Sequence, residues 1–70
     1  MGLLRNYIGT RDQYGSSVDC VTVGSEGYKN RGYTLYARDK CDNHSFGRWR
    51  VDALTREVFR EKSDGRFLRP

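Results

Sequence analysis

Proline is almost missing from this chain: Pro70, at the very end, is the one example. With no proline inside it, every interior residue keeps the N–H that a β-ladder or a helix needs. Long hydrophobic runs are missing too. The apolar patch at the start, "MGLLRNYIG", is broken by Arg5 and Asn6. That excludes a membrane span and a signal-peptide core, and with Met1 in first place a cytoplasmic protein is expected. Gly2 is present, but position 6 is Asn rather than Ser or Thr, so N-myristoylation is not expected.

Cysteine is scarce. Secreted scaffolds of this size usually carry two to four bridges, whereas Cys20 and Cys41 are the whole complement here. Two reduced thiols are the expectation. A Cys20–Cys41 disulfide is the alternative and needs an oxidising compartment. Histidine occurs once, as His44. A ribonuclease-like set would have to combine it with Glu57, Arg48 and Tyr36, but no spacing demands that grouping. There is no Ser/His/Asp order and no phosphate-cradling glycine loop, so no enzyme is expected. "CDNH", Cys41 to His44, could offer two zinc ligands from one turn. Cys20 would be a third, and Asp19, Asp39 or Asp42 would have to complete the site. A polar turn explains the same residues, so no metal and no cofactor are expected.

Aromatic residues and arginine are well supplied. Aromatics make up 13% of the 70 residues, which argues for a folded chain despite 31% charged residues, because disordered chains are poor in aromatics. A single domain over residues 1–70 is expected, with a core one side chain thick. The net charge is +4, and ten of the thirteen cations are arginine. The excess lies in the second half: residues 36–70 hold nine cations and six anions, against four and three in residues 1–35.

The eight glycines mostly mark turns, and the pattern reads as strands. Extended segments are expected at Leu3–Ile8, Ser17–Val23, Tyr33–Lys40, Ser45–Ala53 and Glu57–Glu61, the last resuming with "RFL". "GSEGYKNRG" reads as a turn. A short helix near residues 52–62 is the competitor to a hairpin there, with Asp52 as its cap. The hairpin is preferred because "VDALTREVF" pairs two alternating runs across a compact turn. "VDALTREV" also resembles the β-hairpin pattern VDxxTGEV, which occurs in many unrelated β-proteins, PepSY-type domains among them. The chain departs from that pattern at Arg56, where the pattern has the glycine that tolerates positive φ. No family follows from eight residues.

Strand parity assigns faces. Trp49, Val51 and Ala53 share one side, as do Tyr33, Leu35 and Ala37. Arg48, Arg50 and Asp52 share the other, as do Thr34, Tyr36 and Arg38. One face is apolar and one is wet, as in an antiparallel sheet. With no helix expected to cover the apolar face, the fold class expected is all-β: a four- or five-stranded antiparallel meander. Its sheet should be strongly bent or a partly open barrel, similar to SH3-like or OB-like folds.

The candidate binding residues are Arg38, Arg48, Arg50, Arg60 and Tyr36 on the wet face, with Arg56 and Lys62 near it and Tyr14 and Tyr28 in glycine-rich turns. Arg, Tyr and Trp dominate the energetics of protein interfaces. A protein partner is therefore expected, in the manner of a small accessory or inhibitor protein of a phage or mobile element. DNA or RNA is the alternative, with Arg38, Arg48 and Arg50 on phosphates and Tyr36 under a base. Asp39, Asp52, Glu57 and Glu61 lie among these arginines and weigh against it.

Overall fold

The computed structural model describes residues 2–70. In chain order it has a helix α1 (Gly2–Gly9), two 3₁₀ turns (Asp12–Tyr14 and Val18–Cys20) and five strands. The strands are β1 (Val21–Lys29), β2 (Gly32–Asp39), β3 (His44–Asp52), β4 (Val58–Glu61) and β5 (Phe67–Leu68). They form one antiparallel meander in the order β1-β2-β3-β4-β5. The sheet stays open, with β1 and β5 at its edges.

The first segment corrects the expectation of a strand: Leu3–Ile8 is helical. Leu4 and Ile8 stand four residues apart, so a helix puts both on one face, and both are fully buried. The helix stops at Gly9, where a Cβ would come within 2.5 Å of the Val18 Cα, and Thr10 donates to the Asn6 carbonyl from both its N–H and its hydroxyl. α1 lies across the apolar side of the sheet. The sheet therefore has no need to curl on itself to bury that side.

The core is Leu4, Ile8, Val21, Leu35, Ala37, Phe46, Trp49 and Val51. Each large side chain fully buried there contributes about 1.5–3 kcal/mol. Ala53, expected inward, is exposed in the turn beyond the end of β3. Simple alternation would put Phe46 on the same face as Arg48. A bulge prevents it: Ala37 pairs with Gly47 and Arg38 with Ser45, leaving Phe46 as the extra residue. Gly47 at φ 85° absorbs the change of direction, and Phe46 and Trp49 are buried together. The Trp49 indole N–H donates to the Phe46 carbonyl at 3.0 Å.

The second segment starts later and runs further than expected. Residues 18–20 form a 3₁₀ turn, and β1 continues to Lys29 through a bulge between Ser25 and Gly27. Only Asn30 and Arg31 make the turn into β2, both at positive φ of 54° and 62°. This is the two-residue primed turn whose twist matches a hairpin.

The other two long hairpins use aspartate instead. Asp39 accepts the N–H groups of Cys41 and Asp42 at 2.8 and 3.0 Å. Asp52 accepts those of Leu54 and Thr55 at 2.8 and 2.9 Å. The expected competitor helix near 52–62 is thus a turn followed by β4. Its one residue at positive φ is Arg56, at 64°, in the place where the hairpin pattern carries glycine.

The cysteines also correct the expectation. Cys20 and Cys41 are joined in a disulfide across a Cα–Cα distance of 5.4 Å, tying the start of β1 to the β2–β3 turn.

Candidate binding face

The sheet face away from α1 is built by parity from all five strands. Register places Tyr36 opposite Arg48, Thr34 opposite Arg50, and Arg50 opposite Phe59. Tyr36 is 46% exposed in the middle of this face. Its ring lies over Gly24 of β1, where a Cβ would come within 2.3 Å of the ring. The missing side chain at Gly24 is what lets the tyrosine lie flat on its neighbour strand. Phe59 and Phe67, both half-buried, continue the apolar component towards β5.

The arginines around Tyr36 are held in place. Arg48 bridges two carboxylates, Glu26 at 3.1 Å and Glu61 at 3.0 Å. Arg50 reaches across Gly32 and donates to the Lys29 and Asn30 carbonyls at 2.6 and 3.1 Å, closing the β1–β2 turn. Arg38 donates to the Asn43 side chain in the β2–β3 turn. Exposed ion pairs of this kind contribute little to stability, typically well under about 1 kcal/mol. They do restrict which way each guanidinium points.

Of the residues singled out in the sequence, Tyr36, Arg38, Arg48 and Arg50 come together here. Arg60 does not. Its register partner is the inward-facing Trp49, and its guanidinium lies 5.1 Å from the Trp49 ring on the helix side. Alternation along β4 puts Phe59 and Glu61 outward and Arg60 inward. Tyr14 is no exposed loop residue either: it is half-buried, packed edge-on against Phe46 and Trp49 at 5.9 and 5.8 Å. Its hydroxyl is buried without a hydrogen-bond partner among the described residues. Tyr28 is 56% exposed, but on β1, on the helix side, packed at a tilt of 58° against the Tyr33 ring at 4.8 Å. Arg56 sits in the β3–β4 turn and Lys62 in the β4–β5 turn, both exposed.

Glu26 is the functional neighbour that sequence reasoning misses. It lies in the stretch read as a turn, and the bulge in β1 turns it towards Arg48. The anions expected among the arginines divide differently. Glu61 does pair with Arg48, Glu57 pairs with Arg69 instead, and Asp39 and Asp52 are occupied by turn N–H groups.

Those N–H groups also set the charge on both aspartates. For Asp39, the Ser16 hydroxyl foremost, then the Asp42 and Cys41 N–H groups, hold the carboxyl below its ordinary value. For Asp52, the Thr55 and Leu54 N–H groups do the same. No helix among the described residues is long and apolar enough to cross a membrane. Comparison with protein-family models, with curated proteins and with solved structures finds no match to this chain.

Proposed function

We propose that this chain is a non-enzymatic binding protein that engages a protein partner through the outer sheet face. Tyr36 is its anchor, and Arg38, Arg48 and Arg50 are its oriented polar contacts. The observation that carries the reading is the state of Arg48, held between Glu26 and Glu61 beside an exposed tyrosine. A phosphate backbone needs cations free to exchange their counterions. Here the two carboxylates would be brought against the phosphates together with the arginine. A protein surface, by contrast, is well met by a rigid aromatic ring flanked by fixed guanidinium groups, since little side-chain entropy is lost on docking. An accessory or inhibitor role, of the kind short phage and mobile-element proteins play, suits a chain that presents one such face.

The test is a photo-crosslinking amino acid placed at Tyr36, irradiated in extract of the native cell, with the same group at Lys62 as control. The expected result is a discrete protein adduct from position 36 only, lost when Arg48 and Arg50 are both changed to Ala. In parallel, labelled single-stranded and duplex oligonucleotides are titrated at low and high salt. Oligonucleotide binding that falls steeply with salt and disappears in the same double variant would overturn the reading in favour of nucleic acid.

A further inference from the structure

The Cys20–Cys41 pair has a chemistry that the binding face does not use. Beside it lies Asp39, only 4% exposed. One ligand atom from each of Cys20, Asp39 and Cys41 can be chosen so that all three lie within 4.8 Å of one another. Sulfur ligands about 2.3 Å from a tetrahedral zinc stand about 3.8 Å apart. The two sulfurs here are bonded to each other, so reduction must let them move apart before a metal can enter between them and Asp39.

A fourth donor must swing in from outside that three-residue group. His44 is the register partner of Asp39 on β3, so its side chain projects from the same face of the sheet. It is exposed, with its ring edge-on to Phe46 at 5.2 Å. Cys41 and His44 are also the ends of the Cys-x-x-His turn. Cys41 is exposed and Cys20 half-buried, so a reductant has access to the bond.

We propose that Cys20, Asp39, Cys41 and His44 form a zinc site that opens when the Cys20–Cys41 disulfide is reduced. Two thiolates, a carboxylate and an imidazole make a donor set suited to zinc in tetrahedral geometry. A dithiol reductant delivers two electrons and two protons to the disulfide and itself closes to a disulfide. Zinc then takes the place of both thiol protons, which pass to solvent. The hydrogen bonds to Asp39 from Ser16, Cys41 and Asp42 hold its carboxylate in place and leave one lone pair, on Oδ2, for the metal. The β2–β3 turn is then tied to β1 in either redox state, by a covalent bond in one and by a metal in the other.

Cobalt(II) reports such a site directly, because thiolate ligands give it a charge-transfer band and tetrahedral geometry gives it intense visible bands. The protein is reduced with a phosphine, freed of reductant anaerobically and titrated with cobalt, then with zinc, while circular dichroism follows the fold. The expected result is one cobalt bound with both signatures, displaced by zinc, and no band in the disulfide form. His44→Ala and Asp39→Asn should each weaken binding by about tenfold to a hundredfold. If reduction alone unfolds the chain, zinc should restore the fold. The proposal is overturned if reduced protein gives no charge-transfer band and zinc neither binds nor refolds it. It is equally overturned if Cys41→Ser or the His44 and Asp39 variants bind cobalt as tightly as the unaltered chain.

Discussion

Arg56 and Arg31 carry side chains where the backbone favours none. Both sit at φ above 60°, a region that costs an ordinary residue about 1 kcal/mol relative to glycine. Arg56→Gly restores the hairpin pattern from which the sequence departs, and Arg31→Gly gives the favoured Asn-Gly turn. Each is expected to raise the melting temperature by about 4–8 °C, the shift that ~1 kcal/mol produces in a domain of this size. Thermal unfolding followed by circular dichroism checks this, and a fall in either variant would mean that the arginine side chain makes a stabilising contact. Tyr14 offers the opposite kind of test. Its hydroxyl is buried with no partner among the described residues, while its ring packs on Phe46 and Trp49. Tyr14→Phe keeps the ring and removes the stranded hydroxyl, so it should leave stability unchanged or raise it by up to about 1 kcal/mol in urea unfolding. Tyr14→Ala should cost about 3–5 kcal/mol.

At the scale of the elements, α1 and the hairpins depend on different things. α1 is eight residues long, too short to be helical by itself. It is held by Leu4 and Ile8 against the sheet. Leu4→Ala or Ile8→Ala is therefore expected to cost about 2–5 kcal/mol, whereas Leu3→Ala, at an exposed position, should change little. A strand at residues 3–8 would put Tyr7 on the face opposite Leu4 and Ile8, whereas in α1 it packs with them against the core, so a loss of stability in Tyr7→Ala by the same urea melts separates the two. The β3–β4 hairpin depends on a charge. Asp52 is held below its ordinary value of 3.8 by the N–H groups of Thr55 and Leu54. A lowered folded value contributes stability that is fully present above the unfolded value and is lost as pH falls through the folded one. Stability should thus be level from neutral pH down to about 5 and decline below about 4. Asp52→Asn should flatten part of that decline, as read from melting temperatures across the pH range.

These two elements also show what can be read from residues alone. Strands β2, β3 and β4 lie close to their expected bounds, because alternating apolar residues between turn signals specify a strand locally. Leu3, Leu4, Tyr7 and Ile8 fit both a short strand and two turns of helix, and only the waiting apolar sheet face distinguishes them. Gly24 and Gly27 look like turn residues, which hides the far end of β1 from local pattern. Gly24 is glycine because the Tyr36 ring lies over it, a contact with a residue twelve positions away. The face formed by Tyr36, Arg38, Arg48 and Arg50 was legible, since parity within two strands determines it. A count of arginines ignores the parity of β4, which turns Arg60 inward beside Trp49.

The molecule as a whole is a sheet with one covered and one open face, pinned at one end. The pin is the Cys20–Cys41 bond, which closes a loop of sequence separation 21. Closing a loop of that length removes unfolded-state entropy equivalent to about 3 kcal/mol, a large share of the stability open to so small a core. Metal-free reduction should lower the urea midpoint accordingly, and the Cys20→Ser, Cys41→Ser double variant should show the same loss. If neither does, the turn is held by Asp39 and its hydrogen bonds rather than by the bridge.

The sequence by itself determined the antiparallel meander, the inward Trp49 and Val51, and the outward arginines beside Tyr36. Each of these follows from alternation along one strand, which is local. Only the tertiary structure decided the helical state of residues 2–9, the inward turn of Phe46, the pairing of Cys20 with Cys41 and the clamp of Glu26 and Glu61 on Arg48. Each of those joins residues far apart in the chain, and local pattern carries no distance between them. The energy that selects one arrangement comes from burial and pairing that exist only once the sheet has formed.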